Sequence, residues 1–203
     1  MKVLVVGSGG REHAVVKKLA ENPEIERIYC APGNGGISVQ ATPVDIKATD
    51  VEGMVAFAKK EGIDFAVVTP DDPLVLGMAD AMEEAGVPAF GPSKKAAQIE
   101  GSKVFAKNLM KKYGIPTAKY KVFDDPGKVV EYIERENCFP AVIKADGLAL
   151  GKGVVIAKNL EEAKEAVHSI MEDKIFGKSG NQVVVEEFLT GKEVSVLAFT
   201  DSH

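Results

Sequence analysis

Short apolar runs alternate with amphipathic stretches along the first half of the chain, and this alternation predicts an α/β fold. The predicted strands are rich in Val and Ile: Lys2–Val6, Arg27–Cys30, Val44–Ile46, Phe65–Thr69 and Val87–Phe90. Between them, apolar residues recur at helical spacing after Arg11, after Asp50 and after Pro73. Because helical crossovers cover both faces of a parallel sheet, this order indicates a Rossmann-like domain. Such sheets bind ligands at the carboxyl ends of their strands.

The pattern changes near residue 100, where a second, smaller α+β unit is predicted. Residues 91–101 are interpreted as the connection, and Ser102 is placed to cap a helix that ends at Tyr113. The elements predicted after it are the strand Lys119–Phe123, the helix Pro126–Glu136, the strands Ala141–Ala145 and Val154–Ala157, the helix Leu160–Met171, and the strands Gln182–Glu186 and Glu193–Phe199. Because no helix follows the last strand, we expect the sequence to be a fragment.

Composition and charge narrow the function classes. The chain has 203 residues and a net charge of −5 with both signs spread along it, which argues against binding nucleic acid or a membrane surface by bulk charge. The apolar runs are too short to span a bilayer, and we expect a cytoplasmic protein. Cys30 and Cys138 have apolar neighbours and are interpreted as buried thiols. The three histidines lack metal-ligand spacing, and His168 is interpreted as a surface residue.

Two glycine clusters follow the first two predicted strands. Gly9 and Gly10 lie in the segment Gly-Ser-Gly-Gly-Arg-Glu-His, and Asn34 and Gly36 lie in Pro-Gly-Asn-Gly-Gly. Glycine lets backbone amides approach an anion and a helix start adds partial positive charge, so the two loops are predicted to hold one phosphate. Glu12 stands where a dinucleotide fingerprint has its third glycine, which argues against NAD. A tight turn without a ligand stays an alternative.

A third motif, Thr69-Pro70-Asp71-Asp72-Pro73, stands at the carboxyl end of another predicted strand. Its acidic residues are able to hydrogen-bond sugar hydroxyls. Asp72 before Pro73 is equally typical of a helix N-cap, and the two interpretations stay open here.

The loop from Lys144 to Val154 is the second candidate site. It contains three glycines and two lysines, so it is flexible enough to close over a polyphosphate, while Lys144 supplies a fixed charge. A strand follows it instead of a helix, so it is not a Walker loop, and a solvated hairpin is the alternative. Two other features fit an ATP site: Lys103 and Lys107 at i and i+4, and the segment from Glu186 to Glu193.

Taken together, these motifs resemble the glycinamide ribonucleotide synthetase family, the phosphoribosylamine glycine ligases of the ATP-grasp superfamily. The resemblance covers the whole chain and is carried by five segments: VLVVGSGGREHA, APGNGG, PDDPL, KADGLA with GKGV, and EEFL. The family usually has Gly-Pro-Glu where this chain has Thr69-Pro70-Asp71, so whether Asp71 contacts a ribose is left open.

The resemblance implies a domain order. Residues 1–101 would form the Rossmann-like pre-ATP-grasp domain, 102–122 a helix and connection, 123–190 the small α+β ATP-grasp subdomain, and 191–203 the start of a truncated second ATP-grasp lobe. The implied activity joins glycine to 5-phosphoribosylamine through a glycyl phosphate, with ATP giving ADP and phosphate, in purine biosynthesis. The fragment itself is expected to be inactive, and the sequence does not predict an oligomeric state.

The resemblance also implies the site residues. Phosphoribosylamine would contact Gly9, Gly10, Asn34 and Gly36. ATP would be held by Lys107, Lys144, Gly151, Lys152, Gly153, Glu186, Glu187, Leu189 and Glu193, with Lys144 as the catalytic residue. Mg2+ is the implied cofactor, with its ligands expected beyond His203. The alternatives are another ATP-grasp carboxylate–amine ligase, a non-catalytic nucleotide-binding module and a dehydrogenase domain.

Overall fold

The computed structural model of the chain describes residues 1–149 and 152–198. The chain divides into two compact units, Met1–Leu109 and Met110–His203. One unit contains a parallel sheet and the other an antiparallel sheet, which confirms the predicted α/β class. Within the described ranges, no helix is both long enough and apolar enough to cross a membrane.

The first unit is built on a five-stranded parallel sheet in the order β3-β2-β1-β4-β5. Its strands are β1 (Lys2–Gly7), β2 (Arg27–Pro32), β3 (Thr42–Pro43), β4 (Phe65–Val68) and β5 (Ala89–Phe90). The strand order changes direction between β1 and β4. At such a switch point the loops after the strands diverge to opposite faces, and the crevice between them receives a ligand.

The helices of this unit are α1 (Gly10–Leu19), α2 (Val51–Glu61), α3 (Asp71–Leu76), α4 (Met78–Glu84) and α5 (Lys94–Gly101). The next helix, α6 (Lys103–Tyr113), begins in the first unit and ends in the second. Alternate side chains of β1 face opposite sides of the sheet. Leu4 and Val6 enter one core with Met54, while Val3 and Val5 enter the other. The two cores fix the position of the β1–α1 loop at the sheet edge.

The helix predicted after Pro73 is two helices in the structure. Gly77 has φ +96° and ends α3, and α4 starts at the next residue. The interpretation of Asp72 as an N-cap is wrong, because Pro70 occupies the N-cap position and both Asp71 and Asp72 lie in the first turn of α3. Their carboxylates there complement the positive end of the helix dipole.

Two further predictions in the first unit need correction. Residues 91–101 are not only a connection, since Ser93 caps α5 by accepting a hydrogen bond from the Ala96 amide. The strand expected at Val44–Ile46 is instead the two-residue β3, which pairs with Tyr29 and Cys30. The cap predicted at Ser102 is confirmed, because its hydroxyl accepts from the Phe105 amide at 3.0 Å.

The second unit contains a four-stranded antiparallel sheet in the order β6-β9-β7-β8. Its strands are β6 (Tyr120–Phe123), β7 (Ala141–Ala145), β8 (Val154–Ala157) and β9 (Val183–Glu187). Its other elements are α7 (Pro126–Glu136), α8 (Leu160–Val167), a π-helical turn His168–Glu172 and a 3-10 helix Gly177–Asn181. Ile143, Val183 and Val185 pack in one core with α7 and α8. Because successive side chains of a strand point to opposite faces of the sheet, Lys144 and Glu186 lie on the face away from this core.

The strand predicted at Glu193–Phe199 is not formed in its described part, residues 193–198. A strand exists only through pairing with a neighbour, and none of the nine described strands pairs with this segment. Phe199 lies outside the described residues.

The two cysteines differ in their environments. Cys30 is buried in β2, as predicted, and burial together with the Glu12 charge raises the pKa of its thiol to about 11. The same prediction is wrong for Cys138, which is exposed in the connection after the α7 C-cap Asn137. Cys30 is therefore a neutral core side chain at physiological pH.

His168 opens the π-helical turn and is exposed, as predicted. Its Nδ1 is hydrogen-bonded to the Glu172 carboxylate, which raises the pKa of His168, and the charge of Asp173 adds to the shift. Because the fold favours the imidazolium, this contribution to stability is present in acid and is lost as pH rises through the raised pKa. We expect an NMR titration to place the pKa of His168 above its ordinary value of 6.5 and Glu172→Gln to lower it. An unchanged pKa in Glu172→Gln would contradict this.

Candidate functional site

The first candidate site lies where β1 and β2 end. We call residues 7–10 the first glycine loop and residues 33–36 the second glycine loop. The Gly33 amide donates to the Gly7 carbonyl at 3.0 Å, and Asn34 Nδ2 donates to the Ser8 carbonyl at 2.7 Å. The sequence prediction that the two loops lie together is therefore confirmed.

The side chain of Asn34 organises the second glycine loop. Its Oδ1 accepts from the amides of Gly36 and Ile37 at 2.8 and 2.9 Å. The His13 ring packs beside this loop, since a Cβ built on Gly36 would lie 2.9 Å from His13 Cε1. Glycine is therefore needed at position 36, because the His13 ring leaves no room for a side chain there. Asn34 connects the two glycine loops.

Glu12 is a buried carboxylate beneath the first glycine loop. Its Oε2 accepts from the Gly9 amide at 2.7 Å, and its Oε1 accepts from the Thr69 hydroxyl at 2.8 Å. From the sequence pattern, Glu12 was notable only because it stands where a dinucleotide fingerprint has its third glycine. The signal that predicts its role is the spacing of Gly9 and Glu12, because a Glu three residues after an N-cap reaches back to the cap amide.

Gly10 presents the open part of the first glycine loop. A Cβ built on Gly10 would have no atom within 4 Å, whereas one on Gly9 would lie 2.9 Å from Glu12 Oε2. The amides of Gly10 and Arg11 belong to the first turn of α1, which has no intrahelical acceptors. The predicted residues Gly9, Gly10, Asn34 and Gly36 thus lie in one place, and their contact with phosphoribosylamine stays a prediction.

The second candidate site is centred on Lys144 and Glu186. Lys144 Nζ lies 2.9 Å from Glu186 Oε2, and the side chains are 26% and 5% exposed. Val142 opposes Glu186 in the register of β7 and β9, so Lys144 and Glu186 are diagonal neighbours on one face. On the same face, Val154 and Ile156 of β8 are 42% and 48% exposed. A cation therefore lies beside an accessible apolar surface.

Residues 146–149 and 152–153, which we call the lid loop, are the described part of the connection between β7 and β8. The Gly153 carbonyl accepts from the Ala145 amide at 2.8 Å, and the Lys152 amide donates to the Ala149 carbonyl at 2.8 Å. A Cβ on Gly153 would lie 2.7 Å from the Cβ of Ala149, so glycine is needed there. Lys152 is exposed, and Gly151 lies outside the described residues.

Ser179 contacts the lid loop, which the sequence did not predict. Ser179 lies in the 3-10 helix, and its hydroxyl donates a hydrogen bond of 3.2 Å to the Leu148 carbonyl. We expect Ser179→Ala to speed amide hydrogen exchange in residues 146–149 by about threefold, because one anchoring hydrogen bond is lost. The matched control is Ser38→Ala, which removes a hydroxyl–carbonyl bond to Gly35 in the first unit. Equal exchange of the lid loop in both variants would contradict the anchoring role.

The other predicted ATP residues have different surroundings. Lys107 lies on α6 in the first unit and is buried. Glu187 Oε1 accepts from the Lys119 amide at 2.8 Å, which joins the end of β9 to the start of β6. Leu189 and Glu193 are exposed in the irregular segment after β9. Contact of these four residues with ATP stays a prediction.

Comparisons with known proteins connect these sites to a family. Residues 1–100 match "Phosphoribosylglycinamide synthetase, N domain", and residues 101–203 match "Phosphoribosylglycinamide synthetase, ATP-grasp (A) domain". Over 203 residues the chain is 52% identical to the "Phosphoribosylamine--glycine ligase" of Caldanaerobacter subterraneus subsp. tengcongensis, covering all of this chain and 48% of that protein. The chain thus spans about half the length of the curated relatives it matches.

Solved structures give the same picture. The crystal structure of Thermotoga maritima phosphoribosylamine--glycine ligase matches with a TM-score of 0.76 and 33% identity, over 95% of this chain and 45% of that one. The biotin carboxylase domain of Hydrogenobacter thermophilus 2-oxoglutarate carboxylase has the same TM-score at 19% identity, over 93% and 44% of the two chains, and shows a shared fold. Since the ATP-grasp domain match alone takes in residues 101–203, the chain belongs to the phosphoribosylglycinamide synthetase family.

Proposed function

We propose that this chain supplies the sugar-phosphate site and part of the ATP site of a ligase that joins glycine to 5-phosphoribosylamine. The observation that carries the proposal is the Lys144–Glu186 pair beside exposed Val154 and Ile156. An aliphatic surface suits a purine base, and a lysine ammonium suits a polyphosphate. The names of the relatives that match the whole chain support the two substrates.

The proposed reaction has two steps and belongs to purine biosynthesis. A carboxylate oxygen of glycine attacks the γ-phosphorus of ATP, the bond to ADP breaks, and glycyl phosphate forms. The amine nitrogen of phosphoribosylamine then attacks the carbonyl carbon, phosphate leaves, and the nitrogen loses a proton. Lys144 stabilises the negative charge of the phosphoryl oxygens in the first step. The products are glycinamide ribonucleotide, ADP and phosphate.

Other residues have proposed roles on ATP. Lys107, Lys152 and Gly153 would contact phosphates, and the end of β9 with the following segment would contact the nucleoside through Glu186, Glu187, Leu189 and Glu193. Gly151 belongs to the same proposed set and lies outside the described residues.

Mg2+ is the cofactor proposed to neutralise charge on the phosphates of ATP. A biotin carboxylase domain that shares the fold was solved with MgADP, which supports a nucleotide–metal complex. In residues 1–149 and 152–198, no three His, Cys, Asp or Glu side chains are arranged to hold a metal ion. The described residues thus offer no metal centre built from protein side chains alone.

A coupled ADP assay on the complete ligase tests the proposed function. ADP should form only when ATP, glycine and phosphoribosylamine are all present, with one phosphate released for each ADP. Because the relatives are about twice as long as this chain, we propose that residues 1–203 alone give no turnover. ADP formation that depends on a different carboxylate or amine would refute the substrate pair, and steady turnover by the 203-residue chain would refute the proposed inactivity.

A further inference from the structure

We propose that Glu12 and Thr69 are positioning residues that hold the first glycine loop in the shape needed to bind an anion. In this arrangement, the amide of Gly9 belongs to the support, and the amides at the start of α1, beginning with Gly10, receive the ligand. The inference rests on the proposed function, because the anion is the phosphate of the sugar substrate.

The first step is the geometry of the Glu12 carboxylate. Its Oε2 accepts from the Gly9 amide at 2.7 Å, and its Oε1 accepts from the Thr69 hydroxyl at 2.8 Å. Glu12 is only 6% exposed, so these two donors, and not bulk water, set the orientation of the carboxylate. Charge-assisted hydrogen bonds of this length are strong and directional.

The second step is the packing of the loop on this carboxylate. A Cβ on Gly7 would lie 2.6 Å from Glu12 Cγ, and a Cβ on Gly9 would lie 2.9 Å from Glu12 Oε2. Gly7 also has φ +126°, a conformation that favours glycine. The loop backbone therefore lies directly against the Glu12 side chain, whereas a Cβ on Gly10 would meet no atom within 4 Å.

The third step is the place of Thr69 in the sheet. Thr69 follows β4, which neighbours β1 at the point where the strand order changes direction. Its hydroxyl therefore joins the end of β4 to the first turn of α1, at the border of the expected ligand crevice. Removing this donor leaves the carboxylate of Glu12 free to turn toward water, and the Gly9 amide loses its fixed acceptor.

The consequence is preorganisation. A glycine-rich loop has access to many backbone conformations. If the loop became ordered only when the ligand binds, the loss of conformational entropy would weaken the affinity. A carboxylate held from two sides orders the loop before the ligand arrives. The support contributes to affinity without touching the substrate, so Glu12 and Thr69 are positioning residues and not catalytic ones.

The test compares Thr69→Val with Thr69→Ser in the 203-residue chain. Valine keeps the branched shape and removes the hydroxyl, while serine keeps the hydroxyl. Thr49→Val is the matched control, because Thr49 is an exposed threonine in the loop before α2. The readouts are NMR hydrogen exchange of the Gly9 amide, binding of ribose 5-phosphate, and the midpoint of unfolding.

We expect Thr69→Val to speed exchange of the Gly9 amide by about tenfold and to weaken ribose 5-phosphate binding by about threefold. Thr69→Ser and Thr49→Val should match the unmodified chain in both readouts. The proposal is overturned if the Gly9 amide exchanges at the same rate in Thr69→Val and in the control. It is also overturned if Thr69→Val speeds amide exchange throughout the chain and lowers the unfolding midpoint, because the variant would then destabilise the whole fold.

A third result separates this proposal from the proposed function. If ribose 5-phosphate does not bind the unmodified chain while Thr69→Val still releases the Gly9 amide, the support of the loop stands and the sugar-phosphate site is wrong. If ribose 5-phosphate binds equally well to the unmodified chain and to Thr69→Val, the site stands and the positioning role is wrong.

Discussion

Lys144→Ala in the complete ligase is expected to lower kcat/KM for ATP by about a hundredfold, whereas Lys152→Ala should lower it by less than about fivefold. Lys144 lies on β7 and is held by Glu186 at 2.9 Å, so its ammonium is a fixed charge at the proposed ATP site. Lys152 is exposed in the lid loop, and under the proposed function backbone amides of this loop would contact the same phosphates. Steady-state kinetics with ATP as the varied substrate checks the difference, and equal effects of the two substitutions would contradict the larger role assigned to Lys144.

A stability control is needed because Lys144→Ala also removes the ammonium that lies 2.9 Å from the buried Glu186 carboxylate. Breaking a buried ion pair costs about 3–5 kcal/mol, and the partial exposure of Lys144 reduces this to about 2 kcal/mol. The double variant Lys144→Met with Glu186→Gln removes both charges and should regain most of this stability. It should not regain ATP use. Recovery of ATP use in the double variant would assign the pair a purely structural role.

The sequence predicted best those elements whose ends carry strong local signals. Asp125 caps α7 and Pro126 opens it, and the structure has the helix at the predicted bounds, Pro126–Glu136. In α5, by contrast, only Ala97 is buried, so its apolar pattern is too weak to separate a helix from a connection. The two-residue β3 is defined by pairing with β2, which no local pattern reveals.

The candidate sites also contain features that the sequence predicted and contacts that it did not. The carboxyl ends of parallel strands meet at one sheet edge, so the neighbouring positions of the two glycine loops were predictable. The bond between Thr69 and Glu12 joins residues 57 positions apart, and it depends on the placement of β4 beside β1. The diagonal pairing of Lys144 with Glu186 likewise depends on β9 lying next to β7. Such contacts follow from strand order, which local patterns do not encode.

Gly10→Val is expected to raise the KM for phosphoribosylamine by about tenfold in the complete ligase and to change the KM for ATP by less than about twofold. Gly10 begins α1, and under the proposed function a side chain there would occupy space that the substrate phosphate needs to reach the first-turn amides. The fold should tolerate the change, since a Cβ on Gly10 meets no atom within 4 Å. KM values for both substrates, measured with the unfolding midpoint, check the prediction.

Gly35→Val is the matched control for Gly10→Val. A Cβ on Gly35 also meets no atom within 4 Å, so both variants place the same side chain in open space at the edge of one sheet. Gly35 lies in the second glycine loop and does not belong to the first turn of α1, and we expect its effect on the KM for phosphoribosylamine to be smaller than that of Gly10→Val. Loss of ATP affinity in Gly10→Val, with the amine substrate unaffected, would show that the sugar-phosphate site has been assigned to the wrong unit. A large fall in the unfolding midpoint would instead show that Gly10 is required by the turn and not by a ligand.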